Sequence, residues 1–359
     1  MTLASTDRLH HLTASADHCV WGYIDPDEPA RLTVADGDRV RIDAVSHHAG
    51  DAPDLTLDAE LEALWAAIPP DERGPGVHIL SGPIEVVGAE PGMALAVSIG
   101  AMTPRHPFGA NVAAHWGVLY DTYKKERVTV YALDADAASG SEPGFGRWAH
   151  PEFAFDFTAR PLYDAPGFVS APADVVREPV DGRVRVPVRP HLGVMGVAPA
   201  ESGRLSSIPP GPFGGNVDNW RFGPGATLYL PVFRPGAGFY VGDPHFAQGD
   251  GEICGTAIEA SATVDLTLSL APDLELRTPL LETADAWYVH GFGDTLDAAM
   301  RQAAEELIIF IRRVLGLSAD DAYSIASVAA DLGVTQVVDG TVGCHAAFSK
   351  AIIAQHANA

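Results

Sequence analysis

The chain has 359 residues, of which 47% are hydrophobic and 19% charged, and its formal net charge is −24. This composition is typical of a globular protein with a large core and excludes an extensively disordered chain. Because binding to phosphate groups needs a basic surface, the acidic charge argues against nucleic-acid and anionic-membrane partners. The sequence has no apolar run of membrane-spanning length and no secretory signal pattern. Cys19, Cys254 and Cys344 lack paired spacing, which favours a reducing, cytoplasmic location.

Short apolar runs separated by glycine and proline predict β-strands along most of the chain. The predicted strands are 39–45, 93–99, 127–133, 153–158, 183–188, 226–233, 263–270 and 286–291. The clearest is TVDLTLSL, in which Val264, Leu266 and Leu268 share one face of an extended chain. Regularly spaced strands of this kind indicate a β-rich body.

The C-terminal part has a helical pattern instead. Asp294 can begin a helix as its N-cap, and Gly316 can end it. A second helix is predicted to begin after Ser318 and to stop at Gly333. A short strand over 334–339 and a third helix from about 342 to 355 follow.

These elements predict a mainly β fold, with a two-sheet, sandwich-like body, α/β decoration and C-terminal helices. We expect a β-rich body over residues 1–292 and a helical segment over residues 293–359, packed on the same unit. One domain overall is an equally good interpretation of the pattern.

The stretch GDPHFAQGDGEICGTAIE places a histidine and several carboxylates among glycines. Asp243 and His245 are two residues apart and face the same side of an extended strand, and Asp250 and Glu252 repeat that spacing. Histidine with carboxylates suits a divalent ion, zinc first, with calcium or manganese as alternatives. In the other interpretation the aspartates form turns and His245 is a surface imidazole. For the cluster as a whole we favour a metal site.

A second stretch, IPPGPFGGNVDNW, contains a Gly-Gly turn beside polar residues. Exposed N–H groups at Gly214, Gly215 and Asn216 can form an oxyanion hole. Asp218 lies on the same side as Asn216 and is a candidate metal ligand or general base. The alternative is an ordinary tight turn.

Three histidines are weaker metal candidates. In VSHHAGD, His47 and His48 would point to opposite faces of a strand, so at most one aims at a common centre unless the chain turns there. His78 is a lone histidine and a comparably weak candidate for a metal ligand. Cys254 lies in an apolar run, which favours a buried, inert thiol, although it is an alternative nucleophile.

Long stretches of this sequence resemble the acetamidase/formamidase family, in the family's order and from about Trp21 to Ile353. They are GDPHFAQGDGEICGTAIE, PPGPFGGNVD, SGPIEVVGAEPGMALAV and VTQVVDGTVGCHAAF. The resemblance implies hydrolysis of small amides, a β-rich fold with α/β decoration, a homodimer or larger assembly, and metal ions in some members. The implied functional positions are Asp218, Asp243, His245, Asp250 and Glu252, beside the turn formed by Gly214, Gly215 and Asn216. The histidine-rich VSHHAGD departs from the small polar residues expected there, which leaves the substrate open.

We therefore predict a cytoplasmic enzyme that hydrolyses a small neutral amide, such as formamide or acetamide, with metal-activated water. Glu252 is the first choice of general base, with Asp218 and Asp250 as further catalytic candidates. His245, Asp243 and Asp218 are the expected metal ligands. The alternatives are a metal-free or lactam-type amidohydrolase and a non-catalytic β-sandwich that binds a small ligand or calcium.

Overall fold

The structure is a computed structural model that describes residues 8–134, 148–157 and 175–357. Thr158, the last residue of one predicted strand, lies outside the described residues. In chain order the strands are β1 Leu9–Leu12, β2 Cys19–Trp21, β3 Tyr23–Ile24, β4 Leu32–Val34, β5 Asp38–Ala44, β6 Ile79–Val86, β7 Ala94–Pro104, β8 Phe108–Ala113, β9 Arg127–Leu133, β10 Trp148–Asp156, β11 Glu178–Pro179, β12 Val186–Pro187, β13 His191–Gly196, β14 Leu205–Ser206, β15 Gly214–Asn216, β16 Thr227–Pro231, β17 Phe239–His245, β18 Ala262–Ala271, β19 Leu280–Glu282, β20 Ala286–Gly293, β21 Ala330–Val334 and β22 Val342–Ser349. The helices are α1 Pro53–Thr56, α2 Ala59–Ala67, α3 Leu296–Leu315, α4 Ala319–Ala329 and α5 Lys350–Ala357, with short 3-10 helices at His47–Gly50 and Pro70–Glu72.

The strands form several sheets, which confirms the mainly β class. The largest has nine strands in the order β1-β5-β18-β7-β16-β19-β20-β22-β21. Strand β18 lies antiparallel between β5 and β7. Val264, Leu266 and Leu268 are buried on it while Thr263 and Asp265 are not, as the alternation of TVDLTLSL predicts.

A six-stranded sheet runs in the order β15-β13-β17-β6-β2, with β4 paired to β6. It packs against the nine-stranded sheet through one hydrophobic core. Ile42 and Leu266 of the larger sheet and Met195 and Phe239 of the smaller one belong to this same cluster. Burying such side chains contributes about 1.5–3 kcal/mol each, so the core fixes how the two sheets lie together. A five-stranded sheet of β11-β10-β9-β8, with β12 on β10, and the pair β14–β3 complete the strands.

Helix α3 covers one end of the nine-stranded sheet, where Ala303, Leu307 and Ile311 are buried in a second core with residues of β20 and β22. The N-cap is Thr295, whose hydroxyl accepts from the Ala298 N–H, and not Asp294 as predicted. The helix ends at Gly316 in the left-handed conformation, as expected. Among the described helices, none has both the length and the apolar character that crossing a bilayer requires.

The end of the chain differs from the prediction. Helix α4 begins after Ser318, but it gives way at Ala329 to strand β21, so Gly333 lies within a strand. Residues 342–349, predicted as helix, form β22 between β20 and β21. Cys344, Ala346 and Phe348 are fully buried there, because the strand is paired on both edges and covered by α3. Pairing across the sheet outweighs the local helical pattern.

Candidate active site

A cavity of about 310 Å³ lies where strands β15 and β17 end, and Asn216 and His245 belong to its wall. Its titratable lining residues are His47, His48, His78, His115, Asp218, Asp243, His245, Glu252, Glu259 and Asp339. Among the described residues that line it, none is lysine or arginine. Five carboxyl groups therefore share a space in which histidine is the only basic side chain among the described lining residues, and such a space is suited to a cation.

His245 lies between two carboxylates. Its Nε2 is 3.0 Å from Asp243 Oδ2 and 3.1 Å from Glu259 Oε2. Burial opposes the charged imidazolium, but Glu259 and Asp243 together raise the pKa of His245 well above its usual value. Since the side chain is only 1% exposed, the interpretation of His245 as a surface imidazole is wrong.

The other ring nitrogen of His245, Nδ1, contacts two side chains on the side away from the carboxylates. Nδ1 lies 3.1 Å from His191 Nε2 and 3.2 Å from Gln248 Oε1. His191 Nδ1 donates to the Arg189 carbonyl at 2.6 Å, and its Nε2 lies 2.8 Å from the same Gln248 Oε1. Because the Gln248 carboxamide oxygen can only accept, His245 donates from Nδ1 and directs Nε2 at the carboxylates, as histidine ligands of metals commonly do.

Three of the acidic residues have strained backbones. Asp218, Asp243 and Glu252 have φ of 52°, 55° and 46°, a region that non-glycine residues rarely adopt. Ala237 is the only other non-glycine residue with positive φ in the described part of the chain. Each such conformation costs on the order of 1–3 kcal/mol and persists only where surrounding structure enforces it. Their concentration around one cavity points to a functional site.

Gly193 of β13 forms the floor beneath these groups. A Cβ atom there would lie 2.3 Å from Asp243 Oδ2, 2.6 Å from Asp218 Oδ1 and 2.8 Å from His245 Cε1. The Gly193 carbonyl also accepts the Val217 N–H at 3.1 Å, which ties the Asp218 turn to β13. The glycine thus leaves room for the side chains to converge.

The donor atoms of this cluster fit a metal ion. Four overlapping sets have atoms within 4.8 Å of one another: His47–His78–Asp243, Asp218–Asp243–His245, His245–Glu252–Glu259 and Asp218–Glu252–Asp339. Asp243 Oδ1 and both Asp218 oxygens are buried and receive no N–H from the described residues. Buried carboxylate oxygens of this kind need a cation or a proton.

The carboxyl groups of the cavity fall into two kinds, those with a raised pKa and one with a lowered pKa. Burial raises the pKa of Asp218 to about 7, with Asp243 adding to the effect and His245 opposing it. Burial raises the pKa of Glu252 and of Asp339 well above the usual range, and Asp218 adds to both. For Asp243, burial is outweighed by His245 and His78, which hold its pKa below the usual range.

The predicted histidines His47 and His48 both line the cavity, because the chain turns into a 3-10 helix there. Their ring centroids are 4.1 Å apart, and the His47 ring is 5.0 Å from that of His78. His48 Nδ1 is bonded to the buried Asp51 carboxylate at 2.9 Å. His78 Nε2 is 3.8 Å from Asp243 Oδ2. Of the three, His47 and His78 are the better placed to reach a shared ion with Asp243.

Other predicted residues lie apart from this cavity. Asp250 is exposed and pairs with Arg221 at 3.1 Å, because Gly251 and Glu252 turn the chain with positive φ and break the expected alternation. Gly214 and Gly215 do not belong to the lining, and the Gly214 N–H already donates to the Gly211 carbonyl at 2.9 Å. Asn216 does line the cavity.

Sequence reasoning missed several residues that meet here. Glu259 reaches His245 through an isolated antiparallel pairing between the two residues. Asp339 is brought in by the pairing of Gly251 with Gln336. Glu259 had a sequence signal as the last carboxylate of its motif, whereas Gly193 and His191 lie in an apolar strand that gives none.

The fold and the cavity define a mainly β protein with a buried histidine–carboxylate centre suited to a divalent cation. The sequence pattern of the Acetamidase/Formamidase family matches residues 8–204 and 200–348, and the chain belongs to this family. That finding confirms the resemblance drawn from the motifs.

Two relatives of this chain are named as a formamidase and an acetamidase. The formamidase of Methylophilus methylotrophus is 26% identical over 278 residues, 69% of this chain and 63% of that protein. The acetamidase of Mycolicibacterium smegmatis is 29% identical over 296 residues, 73% of this chain and 69% of the relative. The chain therefore spans about two thirds of the length of these relatives.

Solved structures share the fold over nearly the whole chain. The Yersinia enterocolitica acetamidase is 27% identical with a TM-score of 0.72, covering 98% of this chain and 94% of that one. The acetamidase from Bacillus halodurans, at 24% identity, has a TM-score of 0.73 and covers 96% and 99%.

Proposed function

We propose that the protein is a metal-dependent amidohydrolase that cleaves the C–N bond of a small neutral amide to give a carboxylate and ammonia. Membership of the family and the relatives named formamidase and acetamidase support this reaction class. The observation that carries the proposal is the convergence of His245, Asp243 and Asp218 over Gly193, with buried oxygens that lack donors among the described residues.

His245, Asp243 and Asp218 are the residues that would hold the ion, with His47, His78 and Glu259 beside them. When bound, a divalent ion polarises a carbonyl oxygen and lowers the pKa of water. Mixed imidazole and carboxylate donors favour zinc, with manganese or calcium as alternatives.

Glu252 is the proposed general base. Its side chain is buried at the cavity wall, and burial together with Asp218 raises its pKa well above that of an ordinary glutamate. A raised pKa makes a carboxylate a stronger base. Glu252 would accept a proton from water as the water oxygen bonds to the carbonyl carbon, and would then give it to the leaving nitrogen.

Asn216 is proposed to orient the substrate amide. Its Nδ2 donates to Asp339 Oδ2 at 3.2 Å, while its Oδ1 is buried without a donor in the described part of the chain. The NH₂ group of a substrate amide supplies the missing donor. This role replaces the oxyanion hole expected at Gly214 and Gly215.

The alternative nucleophile Cys254 has no support from its surroundings. Its Sγ accepts from Asn111 Nδ2 at 3.2 Å, and it lines a neighbouring cavity instead of the histidine–carboxylate one. A thiol nucleophile needs an adjacent base or positive charge, and Asn111 provides neither.

The test uses the full chain, purified without added metal. Elemental analysis, chelation and reloading with Zn²⁺, Mn²⁺ or Ca²⁺ are run beside ammonia release from formamide and acetamide. We expect turnover to be lost on chelation and restored by one of these ions. Turnover that survives chelation but not thiol alkylation would favour the metal-free route through Cys254. A bound ion without turnover of any amide would favour the alternative of a non-catalytic binding protein.

We also propose a homodimer or larger assembly, located in the cytoplasm. All three cysteines are free, as in reducing compartments. The apolar face of α3 is covered by its own chain, so that helix does not require a partner. Tyr323 and Val328 of α4 and Leu332 of β21 are large exposed apolar side chains that a second copy could cover. Light scattering of the native chain and of Val328→Asp tests this assembly; a monodisperse native monomer would contradict it.

A further inference from the structure

Part of the cavity wall is apolar and aromatic. Trp116, Val77, Ile208 and Val338 lie there beside the histidines and carboxylates. A water molecule takes about 30 Å³ in the liquid, so a cavity of about 310 Å³ is roughly ten waters in size. Formamide and acetamide have at most four non-hydrogen atoms and leave most of this space unfilled, even beside an ion.

Trp116 is held in place by the same loop that holds Glu252. A Cβ atom on Gly255 would lie 1.8 Å from Trp116 Cδ1, so the indole packs directly on the Gly255 backbone. The Gly255 N–H donates to the Glu252 carbonyl at 2.8 Å. The indole is therefore positioned relative to the proposed base.

Neighbouring contacts make this corner rigid. The Val118 N–H donates to the Ile253 carbonyl at 2.9 Å, which ties the segment after Trp116 to the loop after Glu252. The ring of His115 packs on Trp116 with centroids 4.7 Å apart and planes at 64°. The indole of Trp116 thus lines the cavity in a fixed position, and aromatic rings pack against one another with centroids about 4.5–7 Å apart.

The charge of the cavity limits the chemistry of the group that can enter. Its lining includes five carboxyl groups, and in the described chain it has no lysine or arginine to pair with an anion. An acid group on the ring would be repelled by these carboxyl groups. An uncharged ring that ends in a carboxamide suits both the aromatic wall and the acidic cluster.

We infer that this cavity takes uncharged aromatic or heteroaromatic carboxamides, with the ring against Trp116 and the carboxamide directed at Asn216 and Glu252. This substrate class rests on the proposed amidohydrolase function. In the reaction, the oxygen of water bonds to the carbonyl carbon and the C–N bond breaks. The nitrogen leaves as ammonia with the proton that Glu252 took from water, and the aromatic acid remains.

The experiment compares benzamide with acetamide on the full, Zn²⁺-loaded chain. Calorimetric titration gives the two dissociation constants, and ammonia release gives the two kcat/KM values. The variants are Trp116→Ala, Trp116→Phe and, as a matched control, Trp148→Ala, since Trp148 is exposed on β10 and is not a lining residue. Melting temperatures establish that each variant is folded.

We expect benzamide to bind at least about tenfold more tightly than acetamide, and Trp116→Ala to reduce that preference by about tenfold. Trp116→Phe should keep most of the preference, because a flat ring remains, and Trp148→Ala should keep all of it. Turnover should follow the same order.

Two results overturn the inference: benzamide binding no better than acetamide, or a folded Trp116→Ala variant with an unchanged preference. If either occurs while acetamide is hydrolysed, the proposed function survives and only the substrate class is wrong. If benzamide binds in a Trp116-dependent way but no amide releases ammonia, the aromatic subsite stands and the proposed function fails.

Discussion

His191 and His245 lie opposite each other on the antiparallel strands β13 and β17, with His191 Nε2 3.1 Å from His245 Nδ1. Their rings meet edge-on at 82°, with centroids 4.9 Å apart. Because His191 is anchored to the Arg189 carbonyl, it fixes which nitrogen of His245 faces Asp243 and Glu259. His191 does not line the cavity, so we assign it a positioning role.

Removing this support should weaken metal binding. We expect His191→Ala to lower metal affinity by about 10–100-fold, the usual effect of losing the partner behind a histidine ligand. The Gln248→Ala variant should act similarly, because Gln248 Oε1 is 3.2 Å from the same His245 nitrogen. Competition with a chromogenic chelator measures both, with the exposed His11→Ala as control. Unchanged affinity in the folded double variant would show that His245 needs neither residue.

Gly193→Ala tests the floor of the cavity. The added Cβ would come within 2.3 Å of Asp243 Oδ2, so the carboxylates must move apart. Because misplacement of reacting groups by about 1 Å can cost 10²-fold, we expect at least about a hundredfold loss of kcat/KM and weaker metal binding. Gly249→Ala is the matched control, since its Cβ would meet nothing within 4 Å. Full metal binding and activity in Gly193→Ala would show that the site does not require a glycine at this position.

Glu252→Gln and His245→Ala should differ in whether the variant still binds metal. Glutamine keeps the shape of Glu252 but cannot take a proton, so we expect the variant to retain metal and to lose about 10²–10⁴ in turnover. His245→Ala removes a proposed metal ligand and should lose both metal and turnover. Bound metal and ammonia release are measured on each purified variant. Near-native turnover in Glu252→Gln would show that Glu252 is not the general base and would favour Asp218 in that role. Loss of metal in that variant would indicate that Glu252 is a metal ligand.

Acid should destabilise the fold through His290. This buried ring donates from Nδ1 to the Pro279 carbonyl and accepts at Nε2 from Asn219, both at 3.0 Å. Burial lowers the pKa of His290 to about 4, below the value of 6.5 of an unfolded histidine. The unfolded chain therefore binds the proton first, so this contribution is present above pH 6.5 and is lost as the pH falls towards 4. The loss amounts to about 3 kcal/mol at full effect.

Urea unfolding of the native chain and of His290→Gln between pH 7 and pH 4 isolates this contribution. Glutamine does not titrate, so the variant should be less stable at pH 7 but should lose less stability on acidification. Parallel stability curves for the two proteins would contradict the assignment.

The sequence by itself determined the mainly β class, the strands at 127–133 and 263–270, and the helix ending at Gly316, because alternation, β-branched residues and a glycine stop are local signals. It also indicated Asp243 and His245 as partners, since residues two apart share a face and both reach the cluster. The same rule fails for Asp250 and Glu252, where positive φ at Gly251 and Glu252 turns one side chain outward and the other inward.

Only the tertiary structure decided the rest of the candidate site. Glu259 and Asp339 reach the cavity, and His191 reaches His245, through pairings between distant segments, and no local pattern encodes which segments meet. The helix predicted from residue 342 became β22 for the same reason, because its neighbours β20 and β21 supply its hydrogen bonds. Gly193 has a role only because Asp218, Asp243 and His245 converge above it from strand β17 and the turn after β15, and that convergence depends on how the chain packs.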